Sequence, residues 1–246
     1  MFGDGVNQFN NAYSFLMMGQ SNMAGRGELS DVEPIVNDNC FMLRMGRWQK
    51  LEEPVNPDRA VFGIKYHSGV SMGSTFADTI SKKLKVKVGL IPCADGGTSI
   101  DEWQKGTVLY EHALFMAKLA IKSSELKAIL WHQGEADLKS IEKTLSHKKK
   151  FIKFITEFRS DLGCDDLPVI IGELSHNYSS EFNFDNREVI LNKQYFEISN
   201  ELKNVKLVTS KNLEMKCDGL HFNAKSQYEF GKRYANKYLE LISEQK

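Results

Sequence analysis

Five short apolar runs, each separated from the next by a stretch long enough for a helix, restrict this chain's fold more than any other feature. They are Tyr13–Met18, Val86–Ile91, Leu126–Trp131, Pro168–Gly172 and Val205–Thr209. Near-continuous apolar character over so few residues is the pattern of a strand buried on both faces. Pro168 stands at a strand start, where its missing N–H costs little. Between the runs, Thr75–Leu84 repeats Phe76, Ile80 and Leu84 at helical spacing. Val108–Ser123 places Leu109, Ala113, Met116, Leu119 and Ala120 on one face, and Ile141–Arg159 does the same with Leu145, Ile152, Ile155 and Phe158. Asn186–Leu202 and Lys225–Ile242 read as two further helices. Helices of this length between strands imply right-handed crossovers and a parallel sheet covered on both faces. The expected fold is therefore α/β: a three-layer α/β/α sandwich around a five-stranded parallel, flavodoxin-like sheet. Cys40–Met45 reads as an additional peripheral strand, and Gly46–Gly73, with Pro54, Pro57 and several Gly, as a long irregular loop. With no repeat, linker or low-complexity segment, residues 1–246 read as one domain.

In such sheets, ligand sites gather in the crevice beyond the carboxyl ends of the strands. The polar motifs follow that rule. Ser21 follows the first run, Gly96-Gly97 the second and His132-Gln133-Gly134-Glu135 the third; Glu173 follows the fourth, and Asp218 and His221 lie beyond the fifth. A serine hydroxyl is a weak nucleophile until an imidazole takes its proton, and a carboxylate on the other ring nitrogen holds that imidazole in the right tautomer. Ser21, His221 and Asp218 supply these parts, and an Asp three residues before a His can reach it within one tight turn. Glu135 is a rival or supporting acid, since its block ends in the same crevice. Gly96 or Gly97 would let the backbone approach a substrate and aim an N–H at a developing oxyanion. Gln133 is either a satisfied loop amide or a donor to that oxyanion.

Each motif also has a plainer reading. Ser21 could cap a helical turn, and Gly96-Gly97-Thr98 could be a simple turn. His132 and Glu135 imitate a metal pair, but no third ligand stands at suitable spacing, so neither metal nor cofactor is expected. Trp103 and Trp131 read as packing. Gly69-Val70-Ser71-Met72-Gly73 matches the G-x-S-x-G elbow, yet the residues before it make a poor buried strand and too little chain lies upstream. Ser71 therefore reads as opening a helix.

Charge and cysteine usage exclude other classes. Lys plus Arg (32) equals Asp plus Glu (32), and the one basic cluster, Lys148-Lys149-Lys150, falls on a predicted helix as a solvated face. A nucleic-acid footprint would need a basic excess or stripe. No apolar run approaches the roughly eighteen residues of a membrane span, and Phe15–Met18 lacks the flanks of a signal peptide. Four widely spaced Cys without a CxxC pattern suggest reduced thiols. The expected partner is a small molecule in the cytoplasm, not nucleic acid or membrane.

Four blocks together carry a family resemblance. Phe15–Gly27, with Gly19-Gln20-Ser21-Asn22 at its centre, resembles the nucleophile block of the sialate O-acetylesterase and acetylxylan-esterase family of carbohydrate esterases, within the SGNH hydrolases. Val88–Thr98, Trp131–Asp137 and Asp218–Phe222 resemble its remaining blocks, most closely as they stand in plant-type members. The resemblance implies the SGNH hydrolase fold and a serine esterase that removes O-acetyl groups from carbohydrates without a cofactor. It also implies Ser21 as nucleophile, His221 as base, Asp218 as orienting acid, and an oxyanion hole from the Ser21 N–H, Gly96 or Gly97 and the Gln133 side chain. Gln133 stands where the superfamily name refers to an Asn. Gln20, Asn22 and Thr98 are expected to touch substrate, and Gly69–Ser74 to wall the site. The alternatives are a general short-chain esterase or thioesterase, and a catalytically silent carbohydrate-binding module on the same fold.

Overall fold

The first apolar run, β1 (Ala12–Gly19), forms the middle of a seven-stranded sheet in a computed structural model that describes Phe9 and residues 11–57, 67–182 and 184–244. The other strands are β2 (Cys40–Arg44), β3 (Arg47–Lys50), β4 (Val88–Pro92), β5 (Ser124–His132), β6 (Val169–Gly172) and β7 (Val205–Val208). Their order is β3-β2-β4-β1-β5-β6-β7, parallel throughout except for the antiparallel β2–β3 pair. The five expected strands form the contiguous stretch β4-β1-β5-β6-β7, which is the flavodoxin-like order.

The sheet has seven strands, not five. β2 extends it beyond β4, as the peripheral reading of Cys40–Met45 anticipates, and β3 lies inside the stretch read as irregular loop. The two are joined by a two-residue turn at Met45-Gly46, with φ of 51° and 74°, as tight hairpins prefer. β3 has no apolar run because it is an edge strand: Arg47, Gln49 and Lys50 are exposed and only Trp48 is half-buried.

Six helices follow: α1 (Ser21–Ala24), α2 (Gly73–Leu84), α3 (Val108–Ile121), α4 (Ile141–Leu162), α5 (Arg187–Glu201) and α6 (Ala224–Glu244). α2 and α6 cover one face of the sheet, meeting Phe15, Met17, Leu90, Leu130 and Ile170. α3, α4 and α5 cover the other, over Leu16, Met18, Ile129, Trp131 and Ile171. Successive strand residues thus enter opposite cores, which is why the runs are apolar without alternation. Burial of each such side chain contributes about 1.5–3 kcal/mol. Trp103 and Trp131 are fully buried and meet edge-to-face at 5.5 Å, so both are packing residues. The expected stripe on α4 needs correction, because Leu145 is exposed and the buried face starts at Thr144 and His147. On α3 the buried residues are Tyr110, Ala113, Leu114, Ala117 and Ala120. Lys148 and Lys150 pair with acidic residues at the surface, Glu197 and Asp101 among them. Among the described residues, no helix is long and apolar enough to cross a membrane.

Candidate active site

At the end of β1 the chain passes so close to β5 that only glycine fits. A Cβ on Gly19, whose φ is +134°, would fall 2.0 Å from the His132 carbonyl oxygen. Gln20 then donates its N–H to that same oxygen at 2.9 Å. Ser21 opens α1: the N–H groups of Met23 and Ala24 reach the Gln20 carbonyl, while among the described residues the Ser21 N–H has no acceptor, as the first turn of a helix requires.

A turn beyond β7 brings the other partner. Asp218 Oδ1 accepts the backbone N–H groups of Leu220 and His221, both at 2.9 Å, closing an Asx-type turn. Its Oδ2 lies 2.9 Å from His221 Nδ1, and the opposite ring nitrogen, Nε2, lies 2.9 Å from Ser21 Oγ. Serine, imidazole and carboxylate are therefore in hydrogen-bonded line. Burial pushes the Asp218 carboxyl up, but the two backbone N–H groups and the His221 ring outweigh it and hold the group below its ordinary value.

The other expected residues fall into two sets. Gly96 packs beside Ser21, with its Cβ direction 3.6 Å from Ser21 Cβ and 2.8 Å from Arg26 Nη2, whereas a Cβ on Gly97 would meet open space. A cavity of about 190 Å³ opens next to Gly96, with Arg26, Asn56, Ser68, Asp95 and His112 in its lining. Away from this opening, Gln20, Asn22 and Thr98 are all buried and bonded to protein. Gln20 Oε1 accepts from Gly134 N–H and Ala136 N–H at 3.3 Å, and Thr98 Oγ1 donates to Asp95 O and accepts from Trp103 Nε1. These bonds tie the motif blocks together. Gln133 is fully buried, and its amino group is committed to Asp137 Oδ2 at 2.6 Å and Thr98 O at 2.9 Å. Donation to an oxyanion would require one of those bonds to break. Glu135 is joined by no hydrogen bond or ion pair to His221 among the described residues; its Oε1 accepts from Asn22 Nδ2 at 2.6 Å and lies 3.4 Å from His132 Nε2. Ser71 is fully buried at the start of α2, with its Oγ 3.1 Å from Glu53 Oε1. Within 69–74, Gly69 and Val70 pair with Gly25 and Gly27 and so brace the loop after Ser21.

The family described as carbohydrate esterase, sialic acid-specific acetylesterase matches residues 11–240. The chain belongs to this family. A probable carbohydrate esterase of Arabidopsis thaliana is 31% identical over 244 residues, which is 92% of this chain and 89% of the relative. The crystal structure of an Arabidopsis thaliana protein superposes with a TM-score of 0.81 at 29% identity, covering 94% of this chain and 98% of that one. NanS aligns with a TM-score of 0.77 at 17% identity, over 96% of this chain and 98% of that one. A carbohydrate acetylesterase from Xanthomonas citri gives 0.68 at 17%, over 94% and 57% respectively. The fold is the three-layer sandwich of the SGNH hydrolases, and this carbohydrate esterase is a carboxylic ester hydrolase.

Behind the site, the esterase carries a buried polar ring that no single sequence motif marks. Asp137 Oδ2 lies 3.3 Å from His147 Nδ1, His147 Nε2 lies 3.0 Å from the Tyr195 hydroxyl, and that hydroxyl donates to the Gln133 carbonyl at 2.7 Å. Gln133 is thus gripped at its side chain and at its backbone. Asp137 stands at the end of the third motif block and was visible there; His147 and Tyr195 carry no local signal, because only the packing of α4 on α5 brings them together.

Proposed function

We propose that this esterase hydrolyses acetyl esters of carbohydrate hydroxyls through an acyl-enzyme on Ser21. The observation that carries the reading is the pair of 2.9 Å contacts on the His221 ring, one to Ser21 Oγ and one to Asp218 Oδ2. His221 Nε2 takes the Ser21 proton as Oγ attacks the acetyl carbonyl carbon. Asp218 holds the ring proton on Nδ1 and stabilises the imidazolium. The oxyanion is met by the Ser21 N–H and the backbone at Gly96, the glycine that abuts the serine. His221 then returns the proton to the departing sugar oxygen, leaving acetyl-Ser21. Water attacks that ester, His221 takes its proton and passes it to Oγ, and acetate leaves.

The acetylated sugar enters through the cavity beside Gly96. Cys40, Cys93, Cys164 and Cys217 are free thiols, which supports a reducing, cytoplasmic setting. A serine-directed fluorophosphonate should label the wild type and not Ser21→Ala, and Ser21→Ala should lower acetate release by about 10⁶-fold. Labelling without turnover of any acetylated sugar would turn the reading toward a general esterase. Sugar binding without labelling would turn it toward a silent binding module.

A further inference from the structure

The residue after Ser21 bridges the two halves of the site. Asn22 is fully buried. Its Nδ2 donates to Leu220 O at 3.3 Å, and its Oδ1 accepts the Phe222 N–H at 3.0 Å. Leu220 and Phe222 are the neighbours of His221 on either side. The segment bearing the imidazole is therefore tied, before and after the imidazole, to the residue next to the serine. The Asn22 carbonyl is held in turn by Gln227 Nε2 at 3.0 Å.

Glu135 joins the Leu220 carbonyl and the Phe222 N–H in setting which way the Asn22 amide faces. Its Oε1 accepts from Nδ2 at 2.6 Å, and a carboxylate can only accept. The flipped amide would turn its oxygen toward the carboxylate and the Leu220 carbonyl and its NH2 toward the Phe222 N–H, exchanging three attractive contacts for three repulsive ones. Burial pushes the Glu135 carboxyl up, but the neighbouring His132 ring and the Asn22 amide more than offset it, so the acceptor stays ionised.

We propose that Asn22 and Glu135 form a positioning pair: Glu135 orients the Asn22 amide, and Asn22 clasps the backbone on both sides of His221 to hold its ring against Ser21. Neither residue touches the reacting atoms. The proposal rests on the reading of Ser21 as nucleophile and His221 as base. It also gives Glu135 a part different from direct support of the imidazole, and Asn22 a part different from substrate contact.

The test compares steady-state acetate release with fluorophosphonate inactivation, both normalised to folded protein. Misplacement of reacting groups by about 1 Å can cost 10²-fold, so Asn22→Ala should lower kcat and the inactivation rate together by about 100-fold with KM nearly unchanged. A merely structural role would lower the melting temperature and leave kcat per folded molecule intact. Should Asn22→Ala fold poorly, Glu135→Gln keeps the shape but replaces the charge-assisted hold on the Asn22 amide by a neutral one, and is expected to lose about tenfold in kcat per folded molecule. Asn22→Asp removes the donor to Leu220 and sets two carboxylates against each other. Adding Glu135→Gln to it restores a donor–acceptor pair of opposite polarity and should recover about tenfold of the lost kcat, a coupling that independent sites would not show. Unchanged kcat in Asn22→Ala, a loss confined to KM, or no recovery in the double variant would each overturn the proposal. Persistent turnover in Ser21→Ala would instead overturn the reading beneath it, and that variant leaves the Asn22–Glu135 pair intact.

Discussion

Replacing Asp218 by asparagine should inactivate this carbohydrate esterase through the tautomer of His221, with little change in fold. Asp218 Oδ1 receives two backbone N–H groups and Oδ2 receives the ring nitrogen Nδ1, all at 2.9 Å. In Asp218→Asn the side-chain oxygen stays with the two backbone donors, since the reverse orientation would forfeit both, at about 0.5–1.5 kcal/mol each. The NH2 group then faces Nδ1, which must become an acceptor, so the neutral ring carries its proton on Nε2. That is the nitrogen 2.9 Å from Ser21 Oγ, and it can no longer take the serine proton. In another Ser–His–Asp hydrolase this change lowers kcat by about 10⁴, and a loss of that order here corresponds to about 5.5 kcal/mol of transition-state stabilisation. Asp218→Ala imposes no tautomer and should retain more activity per folded molecule, yet it deprives two N–H groups of their acceptor and should melt earlier. The assay is hydrolysis of an aryl acetate at neutral pH with active-site titration, alongside thermal melts. If Asp218→Asn kept more than about a tenth of the parent kcat, or exceeded Asp218→Ala, the tautomer argument would be refuted.

Four further outcomes follow from the same coordinates. Ser71→Ala should keep nearly full activity while losing about 1–3 kcal/mol of stability, because its buried hydroxyl bonds the half-buried Glu53 carboxyl group at 3.1 Å; loss of turnover at an unchanged melting temperature would restore Ser71 as a nucleophile candidate. Gly19→Ala should cost more than about 3 kcal/mol in urea unfolding, since its Cβ would lie 2.0 Å from the His132 carbonyl at φ +134°; a midpoint within error of the parent would show that the β1–β5 junction yields. Acetyl esters should outpace butyryl esters by about 30-fold or more, since two excluded methylenes cost about 1–3 kcal/mol each and Gly96 closes tightly on a Ser21 that is 6% exposed; kcat/KM rising with chain length would disprove a small acyl site. Glu135 is held below the ordinary glutamate value of 4.5 in the folded chain, so the stability it contributes is present above that value and disappears as pH falls through the lowered one. Glu135→Gln should therefore show a shallower acid decline in melting temperature, and an equally steep decline would mean that other carboxylates dominate acid unfolding.

The sheet and the serine–imidazole–carboxylate line were legible in the sequence for one physical reason: both depend on short-range patterns. A strand buried on two faces must be apolar, so β1, β4, β5, β6 and β7 stand out, whereas β3 owes its place to pairing with β2 at an exposed edge and carries no such pattern. Asp218 and His221 are close enough in sequence for a single turn to join them. What the sequence did not disclose is polar residues that are buried because distant elements satisfy them. Thr144 and His147 break the apolar period of α4, so its sequence pattern points to Leu145 instead; Thr144 is buried because its hydroxyl donates to Asp137 O, and His147 because Tyr195 meets it from α5. Gln20 and Asn22 are buried for the same reason. Gln20 is engaged by Gly134 and Ala136, and Asn22 by Glu135, Leu220 and Phe222. A motif of this kind therefore mixes two demands, one on the reacting atoms and one on the backbone that presents them. Within Gly19-Gln20-Ser21-Asn22, Gly19 and Gln20 fix where β1 ends and how its end meets β5, and Asn22 is bonded to the backbone on both sides of His221.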